Sequence, residues 1–213
     1  MTYTKNSEIS YWDEYYIDDS QVDFIPSQFA AFTISEMNDL NIKNIVDCGS
    51  GNGRDAIFFS RYGMNVIALD RSKKAMSLLE DKMHEIPNFN AYVHDMNYEL
   101  PIEINKLTEN KVLYARFFIH SLDESTLNAF IKNISKSMKD GDLFFVEYRD
   151  ENDKDLPKVT GKHFREYYSA DKISTLASSN NLDILYEVSG VGFAKYKEDD
   201  ASVIRQIFKK NWI

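Results

Sequence analysis

Short apolar runs and helical stripes alternate along most of this chain. Residues 44–48 (Asn-Ile-Val-Asp-Cys) read as a buried strand that stops at Gly49. Residues 54–62 carry helical spacing, with Ile57, Phe58 and Tyr62 available to one face. Residues 64–69 form a second apolar run, ended by Asp70. Ser72 is placed to cap a helix through His84, with Met76, Leu79 and Met83 as its stripe. A third strand is expected at 89–93, a fourth at 111–118 and a fifth at 142–148. Helices are expected at 123–138 and 170–180, and final strands near 182–188 and 201–209. The first 30 residues are polar and rich in aromatics and give no such pattern.

Strands separated by helices predict a Rossmann-like, doubly wound α/β sheet, mostly parallel. The last two strands have no helix between them, which predicts an antiparallel C-terminal hairpin. The 213 residues suffice for one domain spanning 1–213, with residues 1–30 as a cap or lid. No apolar run approaches the roughly 20 residues of a membrane helix, so no membrane span is expected. The N-terminus lacks the apolar core of a signal peptide, and the single Cys48 cannot form an internal disulfide. A cytoplasmic location is the expectation. The net charge of −9 repels phosphate backbones, which argues against a nucleic-acid partner. No metal site is expected.

The chemistry concentrates at three strand ends. Three of the eight glycines, Gly49, Gly51 and Gly53, fall within five residues where the first strand meets a helix. Ligands of open α/β sheets bind beyond the carboxyl ends of the strands. Glycine admits positive φ and close approach, and the helix start offers N–H groups to a carboxylate. Asp70, 21 residues after Gly49, can accept from both hydroxyls of a ribose. His94-Asp95-Met96-Asn97 ends the third strand, where Asp95 suits an adenine amino group and Met96 the ring. Each feature alone has an ordinary structural explanation; three at successive strand ends point to a nucleoside-type ligand. Gly51-Asn52-Gly53-Arg54-Asp55-Ala56 also fits a dinucleotide loop, so an NAD-dependent oxidoreductase competes. Asp47 would oppose a pyrophosphate but suits the amino group of S-adenosylmethionine (SAM).

Asp47-Cys48-Gly49-Ser50-Gly51-Asn52-Gly53-Arg54-Asp55 resembles the first motif of class I SAM-dependent methyltransferases, and Asp70 and Asp95-Met96 match the next two. The motif with Arg54 is similar to tellurite-resistance and thiopurine methyltransferases. Tyr11 to Tyr16, Pro26 to Ala30, Tyr114 to Asp123 and Gly190 to Tyr196 look closer to methyltransferases of bacterial capsule and O-antigen clusters. The resemblance implies the seven-stranded methyltransferase fold with SAM as cofactor. It implies that Asp47, Gly49, Ser50, Gly51 and Arg54 hold the methionine end, Asp70 and Arg71 the ribose side, and Asp95 and Met96 the adenine. The N-terminal segment would cover the cofactor, with Gln28 a further contact.

On the acceptor side, SAM carries its own activated methyl group, so the protein's task is alignment and exclusion of water. Candidate substrate contacts are Tyr11, Tyr15, Tyr16, Arg116, Arg149, His163, Arg165, Tyr168 and Lys195. Convergence of the cations among them implies a small anionic acceptor, since arginine forks suit phosphate and carboxylate. His120, with Arg116 beside it, is the candidate catalytic pair, His120 acting as base. The expected reaction is methylation of a phosphate-bearing or nucleotide-activated precursor of a surface polysaccharide. A thiopurine- or tellurite-type enzyme and a non-catalytic SAM-binding protein are the alternatives.

Overall fold

The computed structural model describes residues 12–14, 25–158, 164–196 and 198–211. In chain order the elements are α1 (Gln28–Leu40), β1 (Asn44–Cys48), α2 (Arg54–Arg61), β2 (Asn65–Asp70), α3 (Lys73–Met83) and β3 (Phe89–Val93). Then come α4 (Ile102–Asn105), β4 (Lys111–Arg116), α5 (Glu124–Ser137), β5 (Leu143–Arg149) and α6 (Ala170–Ser178). The chain closes with β6 (Leu182–Gly190), the short β7 (Lys195–Tyr196) and β8 (Asp199–Asp200), and β9 (Val203–Lys210). Seven strands form one sheet in the order β3-β2-β1-β4-β5-β9-β6. The first five run parallel, and β9 is antiparallel to both β5 and β6.

This is the mostly parallel sheet with a closing antiparallel pair that the alternation of strands and helices predicts. Alternation along each strand divides the core. Val46, Leu69, Leu113 and Phe144 pack against α5 and α6 on one face, with Phe130 and Ile134 among the contacts. Ile45, Ala68, Tyr114 and Phe145 pack against α1, α2 and α3 on the other. Burying each such side chain contributes roughly 1.5–3 kcal/mol. β1 lies at the centre with β2 on one side and β4 on the other, so the chain direction of winding reverses above it. That switch point is where open α/β sheets leave a crevice.

Besides the short α4, which the sequence reading lacks, the structure departs from it in three places. Helix α1 lies in a stretch given no element, although Phe29, Ala30, Thr33, Ile34 and Met37 are buried at helical spacing and Ser27 caps its first turn. The fourth strand ends at Arg116 rather than 118, because Phe117 turns out of the ladder with φ of 52°. The last two sheet strands are joined through the β7–β8 ribbon, and the later of them inserts between β5 and β6.

One buried network ties α1 to the sheet. The Ser27 amide donates to Asp55 Oδ1 at 2.9 Å and its hydroxyl to Oδ2 at 2.7 Å. The same hydroxyl accepts from the Ala30 amide, and Tyr114 donates its hydroxyl to Asp55 at 2.8 Å. Burial opposes the Asp55 charge, but Arg116, Arg54 and the Ser27 donors outweigh it and hold the carboxyl below its usual range. Ser27→Ala removes both the cap and one donor to a buried carboxylate. It is expected to lower stability by about 1–3 kcal/mol in urea denaturation at neutral pH. An unchanged midpoint would mean that the cap and the Asp55 contact contribute nothing to holding α1.

Candidate active site

The bend between β1 and α2 is built from three left-handed glycines, with φ of 77°, 54° and 80° at Gly49, Gly51 and Gly53. A Cβ on Gly49 would lie 2.3 Å from the Phe118 ring, and one on Gly53 2.4 Å from Leu79. No side chain fits at either position. The bend is bonded to the neighbouring strand end: Gly49 and Ser50 amides donate to the Leu69 carbonyl at 2.8 and 3.0 Å. The Gly51 amide donates to Asp70 Oδ2 at 2.9 Å, and the Gly53 amide to the Ser50 carbonyl. These four amides are therefore engaged within the protein, and the first-turn amides of α2 from Arg54 onward lie beyond them. The bend offers closely approachable backbone, and the Ser50 hydroxyl is buried with no hydrogen-bond partner among the described residues.

Asp70 is held in place by two amides. Its Oδ1 accepts from Ser72 at 2.9 Å and its Oδ2 from Gly51. Burial raises its pKa, with those amides and Arg71 opposing. From Asp70 a cleft runs past Arg71, His94, Asp95, Met96 and Asn97 to Phe117, Phe118 and Leu122. Asp95 Oδ1 accepts from the Asn97 amide and side chain, which folds this loop tightly. Met96 is buried. Asn133 on α5 donates one amide group to the carbonyls of Met96 and Tyr98, at 3.3 and 2.7 Å, and so fixes the loop from below. His94 is bonded to the Tyr98 backbone, while its Nε2 is buried with no partner among the described residues. Trp12 lines the cleft, and Ser72 donates to Asp13 beside it.

Asp47 lies beneath the bend, 3% exposed. Burial raises its pKa well above the carboxylate range, helped by Asp55 and Asp70 and opposed by Arg116 and Arg54. Among the described residues it has no hydrogen-bond donor. A buried carboxyl so placed is suited to a cationic ligand group. The donor set thus fits SAM: acids at Asp47 and Asp70 for ammonium and ribose, an apolar slot at Met96 and Leu122, and a bend with no side chains in the way.

A second cavity, of about 280 Å³, lies on the α1 side of the bend. Its wall is Ile25, Pro26, Ser27, Gln28, Arg54, Arg116, Lys195 and Tyr196. Among the described residues three cations line it and no carboxylate does. Arg54 is steadied by Asp55 at 3.3 Å and lies over the Tyr196 ring, and Arg116 is bonded to Glu147 at 2.9 Å.

The structure divides the residues singled out in the sequence. Asp70, Arg71, Asp95 and Met96 meet along the cleft with Gly49, and Arg54, Arg116 and Lys195 meet in the cavity. Gln28 is there too, but its amide nitrogen donates to the Lys195 carbonyl at 2.9 Å, so it clasps protein rather than cofactor. Arg149 is buried between Asp153 and Asp199, at 2.8 and 2.6 Å, which spends its fork inside the protein and removes it from substrate binding. Tyr168 is buried and donates to the Leu122 carbonyl at 2.9 Å, which removes it likewise. Arg165 is partly buried and lines neither cavity. His120 is buried and its Nδ1 accepts from the Arg149 amide at 3.3 Å. The neutral ring then carries its proton on Nε2 and has no lone pair for the role of base. Tyr11, Tyr15, Tyr16 and His163 lie outside the described residues.

Residues 45–141 match the family model described as "Methyltransferase domain". They include the glycine bend, Asp70 and the Asp95 loop. By that match and by its fold the chain is similar to SAM-dependent methyltransferases. Its fold is that of a SAM-dependent methyltransferase from Anabaena variabilis, with 14% identity, 99% of this chain and 96% of that one covered, and a TM-score of 0.71. It is similar also to the glycopeptide N-methyltransferase MtfA complexed with SAM, with 12% identity, coverage of 90% and 98%, and a TM-score of 0.64. The [4+2]-cyclase SpnF, 13% identical with coverage of 80% and 75%, has the fold too, at a TM-score of 0.64. The fold alone therefore does not carry the reaction. No curated protein sequence matches the chain. Among the described residues no helix is long and apolar enough to cross a membrane.

The two raised carboxyls give cofactor binding a sign with pH. A raised pKa means that protonation sets in early as pH falls, and a protonated Asp47 no longer pairs with an ammonium. SAM affinity, measured calorimetrically, is expected to fall as pH is lowered. Asp47→Asn is expected to weaken binding at the upper pH and to flatten the decline. Wild-type affinity in that variant would remove Asp47 from the site.

Proposed function

We propose that the enzyme transfers the SAM methyl group to a small anionic acceptor. The observation that carries this reading is the cavity beside the bend, where Arg54, Arg116 and Lys195 converge and, among the described residues, no carboxylate lines the wall. Two guanidinium forks and an ammonium suit an oxyanion far better than a neutral molecule. The particular acceptor we propose is a phosphate-bearing or nucleotide-activated precursor of a surface polysaccharide. The resemblance of Pro26 to Ala30, Tyr114 to Asp123 and Gly190 to Tyr196 to capsule and O-antigen cluster methyltransferases supports this, because these segments supply most of the cavity.

SAM, when bound, supplies a methyl group already activated by its sulfonium. The chain's own residues have the remaining tasks. Asp47, Asp70 and the Met96 slot would orient the cofactor. Arg54, Arg116 and Lys195 would hold the acceptor's charge, and Trp12 would help exclude water. With His120 turned inward, the arrangement suits an acceptor whose nucleophilic atom is already ionised.

The test is methyl transfer from tritiated SAM to a panel of sugar phosphates and nucleotide sugars, beside neutral sugars and thiols. Label is expected in phosphorylated acceptors. Arg116→Ala is expected to raise the acceptor KM by about tenfold or more, the loss of a charge-assisted hydrogen bond. Transfer confined to neutral sugars or thiols would contradict the reading.

A further inference from the structure

Arg116, Glu147 and Arg205 are direct neighbours on three adjacent strands. Arg116 stands opposite Glu147 across β4 and β5, and Glu147 opposite Arg205 across β5 and β9. Glu147 is fully buried and gives one oxygen to each arginine. Its Oε1 accepts from Arg116 Nε at 2.9 Å, and its Oε2 from Arg205 Nε at 2.7 Å.

The two arginines are held very differently. Arg205 also donates to the Phe193 carbonyl at 2.7 Å and lies against the rings of Phe29, Phe32 and Phe193. It is the anchored end. Arg116 is tethered through Nε alone, with its plane over Phe117. Among the described residues its terminal nitrogens have no hydrogen-bond partner, although its side chain is only 12% exposed. Those nitrogens belong to the residue that lines the cationic cavity. Two guanidinium groups share the Glu147 carboxylate, and Arg116, the loosely held one, also interacts with Asp55 behind it.

We propose that Glu147 is a positioning residue for the acceptor: anchored by Arg205, it fixes the Arg116 fork towards the acceptor's oxyanion. The proposal rests on the anionic-acceptor reading and adds to it how the fork is aimed. An arginine held at Nε keeps both terminal groups for a bidentate contact and loses little freedom when the anion binds. Glutamine at 147 would keep the volume but turn one N–H group towards an arginine N–H. One of the two arginines would then lose its partner, and Arg116 has the fewer other contacts.

Inorganic phosphate is the probe, titrated calorimetrically into the full chain saturated with demethylated SAM. Glu147→Gln is expected to weaken phosphate binding about tenfold while leaving affinity for the demethylated cofactor unchanged. Glu147→Asp, which keeps the charge, is expected to retain part of the phosphate affinity. If Glu147→Gln does not fold, Arg205→Lys, which loosens the anchor and keeps its charge, should shift phosphate binding in the same direction. Wild-type phosphate affinity in Glu147→Gln, with loss in Arg116→Ala, overturns the positioning role and leaves the anionic acceptor standing. Equal loss of phosphate and demethylated cofactor in Glu147→Gln also overturns it, since the effect is then merely structural. Phosphate binding that survives Arg116→Ala overturns both readings.

Discussion

The site is organised by the bonding of the glycine bend to the end of β2. The amides of Gly49 and Ser50 donate to the Leu69 carbonyl, and the Gly51 amide donates to the Asp70 carboxylate. A single small motif thereby sets the height of the bend and the direction of the Asp70 carboxylate. Only residues without a Cβ tolerate this, because Phe118 and Leu79 occupy the space a side chain would need. The crevice thus follows from backbone geometry at the sheet's switch point, and the side chains around it inherit their places.

Electrostatics then separates two neighbouring chambers. The cleft side gathers acids: Asp47, Asp70 and Asp95, of which Asp47 and Asp70 are pushed up by burial. The cavity side gathers Arg54, Arg116 and Lys195. Asp55 and Glu147 stand behind the cavity's arginines and steady them. Complementary chambers of this kind suit a cofactor carrying a positive charge and an acceptor carrying a negative one. They meet at the bend.

Much of this was legible in the sequence, and the parts that were not share a physical cause. Strand ends at Gly49 and Asp70, the cap at Ser72, and the closing antiparallel pair follow from local pattern. Helix α1 was passed over because its aromatic, polar surroundings mask a stripe preceded by a clear cap at Ser27. Among site residues, position at a strand end was readable but side-chain partnership was not. Arg149 and Arg116 both stand at strand ends in the sequence. One is consumed by Asp153 and Asp199, which come from a turn and from β8, and the other keeps its fork for the cavity. Glu147 and Arg205 lie 58 residues apart, and only strand register brings them together. Asn133 and His94 gave no local signal, since their roles depend on the loop packed between α5 and β3.

The central claim is that the bend and its acids hold a sulfonium nucleoside. Direct competition tests it most plainly: the purified chain titrated with SAM and, separately, with NADH, following Trp fluorescence and calorimetric heat. The account predicts saturable binding of SAM that NADH does not displace. Tight NADH binding with none of SAM would contradict it.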